Sequence, residues 1–173
     1  YGNQYLKGYL GNDLSKTGWG LKFDFIIIHE AGHEWFANNI TYRDIADMWI
    51  HEGFTAYIES LYLEYHFGKK AGNEYAVGKG QVIRNDKPII GHYNVNNEGS
   101  SDMYNKGAFM LHTLRQLIGN DEKWRNILRG LNTTFYHQTV TTKEIEEYLS
   151  KTSQINLTAF FNQYLRDVRK VSF

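Results

Sequence analysis

His29-Glu30-Ala31-Gly32-His33 is the feature that most restricts what this chain can become. Residues four apart on an α-helix lie about 40° apart around its axis, so a helical reading puts both imidazoles on one face. From there they can grip one metal ion, while the carboxylate between them points slightly off that face. Eighteen residues separate His33 from Glu52, which stands in Trp49-Ile50-His51-Glu52-Gly53-Phe54 within a second helical pattern. Glu52 can supply a third ligand, so the fold has to bring two helices together at His29, His33 and Glu52.

The rest of the composition narrows the metal chemistry. The 173 residues contain no cysteine, which excludes disulfides, thiolate ligands and a cysteine nucleophile. A transition-metal site here has to be built from His, Asp or Glu. Basic and acidic side chains balance at 19 each, without the basic surplus a nucleic-acid partner calls for. No apolar run is long enough to span a membrane. Aromatics make up 16% of the chain, which suits a packed core, and the length fits one domain over 1–173. The first residues, Tyr1-Gly2-Asn3-Gln4, carry neither an initiator Met nor a signal-peptide pattern. The chain reads as a piece of something longer, and its compartment is left open.

Periodicity predicts a mostly α-helical chain. Residues 1–20 are glycine-rich and read as an irregular entry segment. A first helix is expected over 22–40, from Phe23, Ile26, Ile27, Ala31 and Phe36, and a short connection over 41–47. A second helix is expected over 48–67, where Ile50, Phe54, Tyr57, Ile58, Leu61 and Tyr65 recur at helical steps until Gly68. Residues 70–86 read as a weak helix, because Gly72, Gly78 and Gly80 each cost about 1 kcal/mol relative to Ala. Residues 85–102, with the single Pro88, form the longest loop. Further helices are expected over 103–118, 121–135, 142–151 and 157–169, with Thr142 and Asn156 as start signals for the last two. Alternating strand patterns are missing.

Three ordered motifs carry a family resemblance. His29-Glu30-x-x-His33 with Glu52 resembles the gluzincin pattern, and Trp49-Ile50-His51-Glu52-Gly53-Phe54 resembles the aminopeptidase N family, which includes leukotriene hydrolase. That family has Asn where this chain has His51. Tyr104-Asn105-Lys106-Gly107-Ala108 is similar to the family's Tyr-x-Lys-Gly motif. The resemblance, from about residue 18 to the end, implies the helical part of a thermolysin-like zinc metallopeptidase catalytic domain with little or no sheet. It implies one Zn2+ held by His29, His33 and Glu52, Glu30 as general base toward a zinc-activated water, and Tyr104 stabilising the tetrahedral intermediate. The implied reaction is peptide hydrolysis, with removal of N-terminal residues. The family's Gly-x-Met-Glu-Asn motif, whose glutamate binds the substrate's α-amine, is not in this chain. It is expected upstream, with the sheet that completes the cleft, so full activity is not expected of these residues alone.

Other side chains are weighed on spacing. Glu59 lies seven residues after Glu52, on the same helix face, where it can hydrogen-bond the outer nitrogen of a ligand histidine. Glu34 reads as cleft edge or surface. His51 points about 100° from Glu52 and reads as structural. His66, His112 and His137 read as packed or exposed, and His92 is the alternative oxyanion donor. Two rivals stand beside the leading reading: a thermolysin-like endopeptidase using a downstream His in place of Tyr104, and a non-catalytic metal-binding or interaction domain. A retained Glu30 argues against the second, since holding zinc needs no general base.

Overall fold

The computed structural model describes residues 3–169; Tyr1 and Gly2 of the expected entry segment lie outside them. Seven α-helices and one small sheet follow in the order α1 (Phe25–Gly32), β1 (Ile40–Tyr42), α2 (Trp49–Phe67), α3 (Lys69–Gln81), α4 (Asp102–Ile118), α5 (Asp121–Thr134), β2 (Gln138–Val140), α6 (Thr142–Ser153) and α7 (Thr158–Phe161). The chain is mostly helical, as the patterning predicts. The sheet is a single parallel pair, with Ile40 opposite Gln138 and Tyr42 opposite Val140. No helix among the described residues is long and apolar enough to cross a membrane.

The core is built on α2 and α4, the most extensive helix pairing. Trp49, Ile50, Phe54 and Tyr57 of α2 face Met103, Met110, Leu111 and Leu114 of α4, all buried. The two backbones nearly touch: a Cβ on Gly107 would stand 2.8 Å from the Cα of Gly53. Only glycine at both positions allows that approach. α5 adds Trp124, Ile127 and Leu131, one stripe at helical spacing. A smaller cluster of Phe23, Leu63, Ala71 and Tyr75 sits behind α1.

Buried polar ties fix the helices against one another. Arg115 of α4 pairs through both terminal nitrogens with Glu64 of α2, and its Nε donates to Asp121 at the start of α5. Arg115→Met should lower stability by about 2 kcal/mol in urea unfolding, below the roughly 3–5 kcal/mol of a fully buried pair, since Glu64 and Asp121 keep access to water. Asp102, buried in the first turn of α4, accepts the backbone N–H groups of Arg84 and Asn85 and so anchors the long loop where Tyr104's helix begins. Asp47 accepts from the hydroxyls of Tyr93 and Thr142, tying the turn before α2 to that loop and to α6.

Several boundaries differ from the sequence reading. The first helix is eight residues long instead of reaching residue 40. Beyond it the chain turns, with Asn38 N–H donating to the His33 carbonyl, so that Ile40 can enter the sheet. The weak helix is well formed from Lys69 to Gln81, because its glycines are contact points. A Cβ on Gly72 would meet the Ser60 carbonyl oxygen at 2.7 Å, and one on Gly78 the Ser15 carbonyl oxygen at 2.3 Å. The cap of α6 is Thr141, closed by a capping box with Glu144, while Thr142 is buried. The last expected helix, over 157–169, is only α7 followed by a π-turn, Asn162–Arg166.

Candidate metal centre

α1 is started by Asp24, whose side chain accepts the Ile27 N–H at 3.2 Å. Its buried face is narrow, consisting of His29 and Gly32. A Cβ on Gly32 would come within 2.9 Å of the Thr55 side chain, so this helix lies tight against α2. It meets the face carrying Glu52, Thr55 and Glu59, which the spacings of three and seven bring into line.

His29 Nε2 stands 3.2 Å from Glu52 Oε2, and His33 Nε2 stands 3.6 Å from the same oxygen. One ligand atom from each of His29, His33 and Glu52 lies within 4.8 Å of the others, a group that can hold a metal ion. His33 caps the C-terminus of α1 with right-handed helical dihedrals, so the helical alignment of the two rings survives the short helix.

Both outer ring nitrogens are engaged. His29 Nδ1 lies 2.9 Å from Glu59 Oε1, and His33 Nδ1 lies 3.0 Å from the Phe36 carbonyl oxygen and 3.2 Å from the Thr55 hydroxyl. Metal binding would displace the Nε2 proton of His29; with each Nδ1–H then donating outward, both Nε2 lone pairs would be free for an ion beside Glu52. Two neutral imidazoles and one carboxylate suit a borderline cation such as Zn2+. Burial disfavours a charged His29, but hydrogen bonds and charge from Glu52 and Glu59 outweigh it and raise its pKa to about 9. Electrostatically the pocket is already arranged for a positive charge.

Glu30, the next residue on α1, is exposed beside this group. Tyr104 at the start of α4 is half-buried, its ring 5.8 Å from that of His29. Burial, then the negative charges of Glu52, Glu30 and Glu98, push its hydroxyl up to about 12, so at neutral pH it remains a proton donor. Glu34 is exposed and accepts from Asn38. His51 turns away from Glu52 and accepts the Tyr42 backbone N–H at Nε2, holding β1; burial lowers its pKa to about 4. His66, His92 and His137 are exposed and His112 is buried.

A family model described as the peptidase family M1 domain matches residues 13–164. The chain belongs to peptidase family M1. Among curated M1 relatives, leukotriene A-4 hydrolase of Xenopus laevis is 28% identical over 137 residues, covering 72% of this chain and 22% of that protein. Aminopeptidase B of Rattus norvegicus is 27% identical over 138 residues, covering 71% of this chain and 21% of that protein. The chain thus spans about a fifth of the length of these relatives. Among solved structures, an M1 zinc metallopeptidase from Deinococcus radiodurans superposes with a TM-score of 0.72 at 21% identity, over 88% of this chain and 35% of that one. Yeast LTA4 hydrolase in complex with bestatin gives 0.72 at 18% identity, over 86% of this chain and 27% of that one. The M1 fold is therefore shared across most of the chain.

Four further residues lie around this group of side chains, and the sequence reading does not single them out. Thr55 touches His33, and its position three residues after Glu52 is a signal the sequence carries. Phe25 stacks on His29, with ring centroids 5.5 Å apart and planes 21° apart, one helical turn earlier. Tyr75 and Lys79, which contact Glu59, have no sequence signal, because nothing in α3 says which neighbour it faces.

Proposed function

We propose that these residues are the zinc-holding, helical part of a peptidase catalytic domain, and that the protein removes N-terminal residues from peptides. The observation that carries this is the placement of an exposed carboxylate, Glu30, beside two histidines whose Nε2 atoms converge on Glu52. When bound, zinc supplies Lewis acidity to a water and to the scissile carbonyl. His29, His33 and Glu52 would hold the ion. Glu30 takes the proton of the attacking water and keeps it for the leaving amine. The Tyr104 hydroxyl, held protonated by its surroundings, donates to the carbonyl oxygen as negative charge builds there. Glu59 sets the His29 ring by accepting from Nδ1.

The other wall of the cleft and the group that binds the substrate's α-amine come from polypeptide beyond these residues. Ile27 and Trp35, each about half exposed (53% and 52%) on and just after α1, are the apolar surface such a wall would cover.

The test uses the full-length parent and a pair of peptides, one free and one acetylated at its N-terminus. Hydrolysis of the free peptide alone is expected. Equal cleavage of both would replace this reading with the endopeptidase one. In the same assay, Tyr104→Phe should cut kcat by about 10²-fold, the effect of removing one oxyanion donor, with zinc content unchanged. A kcat within twofold of the parent's would remove Tyr104 from the mechanism.

A further inference from the structure

We infer that Tyr75 and Lys79 of α3 are positioning residues for the metal centre: they hold the Glu59 carboxylate so that His29 presents Nε2 to the ion. The inference rests on the proposed zinc site and adds a layer behind it, on a helix that contributes none of the three ligands.

Glu59 is fully buried, and both its oxygens are used. Oε1 faces His29 Nδ1 at 2.9 Å. Oε2 accepts the Tyr75 hydroxyl at 2.6 Å and lies 3.6 Å from Lys79 Nζ. Tyr75 and Lys79 are four residues apart on α3, so they share one face. A buried carboxylate with one partner is free to rotate about its last torsion, and its hydrogen bond to the imidazole then loosens. A hydroxyl donor and an ammonium charge beside the second oxygen remove that freedom.

Lys79 is the less expected of the two. Its side chain is 4% exposed, and a buried ammonium is costly unless paired. Among the described residues its one ion-pair partner is Glu59. It also reaches His29 by a second route, because its Nζ sits 5.4 Å from the ring centre of Phe25, which stacks on the His29 ring. The imidazole is thus held on its edge through Glu59 and on its face through Phe25, and Lys79 touches both supports. A role confined to packing would be met by an apolar side chain of similar length, without the cost of burying a charge.

The test compares the 173-residue chain with Tyr75→Phe and Lys79→Met. Two quantities are read: the zinc dissociation constant, by competition with a chromophoric chelator, and the hydrogen-bonded Nδ1 proton of His29 in the metal-free chain, by NMR. Each variant should bind zinc about tenfold more weakly, the lower end for a lost outer partner, and the Nδ1 proton should shift or exchange away. Tyr75→Phe keeps the ring and the fold, so its result stands if Lys79→Met unfolds. Zinc bound as tightly as by the unaltered chain, with the Nδ1 proton unmoved, would overturn the inference. Glu52→Gln separates the two layers. If it leaves zinc affinity unchanged, the ligand assignment fails, and the Nδ1 proton alone then decides the role of Tyr75 and Lys79.

Discussion

Replacing Glu30 with glutamine should abolish most hydrolysis while leaving zinc in place. The change removes the carboxylate's basicity and keeps its shape. Glu30 is exposed and lies outside the converging trio of His29, His33 and Glu52, so neither the fold nor the ion depends on its charge. Exposed substitutions of this kind stay within about 0.5 kcal/mol in stability. In the proposed mechanism the carboxyl group is used twice, as a base when the attacking water loses a proton and as the resulting acid when the leaving amine gains it. A loss of about 10³-fold in kcat is expected, equivalent to roughly 4 kcal/mol at the barrier. The measurement is kcat of the full-length parent on a free peptide, alongside zinc content by atomic absorption. Turnover surviving within tenfold, with zinc retained, would show that another group handles the proton.

The largest structural effect should come from Gly107→Val. A Cβ at Gly107 would lie 2.8 Å from Gly53 Cα, and the obstacle is backbone rather than a flexible side-chain end. Even one methyl group has to push α2 and α4 apart, and valine adds two more against the same helix. The cost should be about 3 kcal/mol, near the top of the overpacking range. In a chain of this size that corresponds to a fall in Tm of roughly 6–12 °C. The damage should not stop at stability. Glu52 precedes Gly53, and Tyr104 sits one helical turn before Gly107, so separating the helices shifts the proposed metal ligand and the proposed oxyanion donor together. Thermal unfolding and zinc affinity should therefore fall in the same variant, whereas Arg115→Met should lower stability and leave zinc affinity intact. A Gly107→Val chain melting within 2 °C of its parent would mean that the helices do not cross as described.

Much of this architecture is legible in the residues. α2 reads clearly because its apolar positions recur at helical steps and Gly68 stops it. The spacing of seven from Glu52 to Glu59 puts both carboxylates on one face, and both are found against His29. What cannot be read is set by distant partners. Residues 33–39 carry an apolar pattern that continues the helix on paper, yet Ile40 pairs with a strand close to a hundred residues away and the helix ends early. The glycines of α3 look like weakness in isolation and are where other backbones press closest. Tyr75 and Lys79 stand among ordinary-looking residues of that same helix, and only its packing reveals what they touch.

The short parallel sheet has a kinetic consequence. Three residue pairs cannot hold a strand pair on their own, and the chain between Ile40 and Gln138 has to be closed into a loop before they meet. Such distant contacts form late in folding, after the local helices have assembled. The segment leaving His33 runs directly into this sheet, so the end of α1 is tied to a strand pair that only a long loop closure can make.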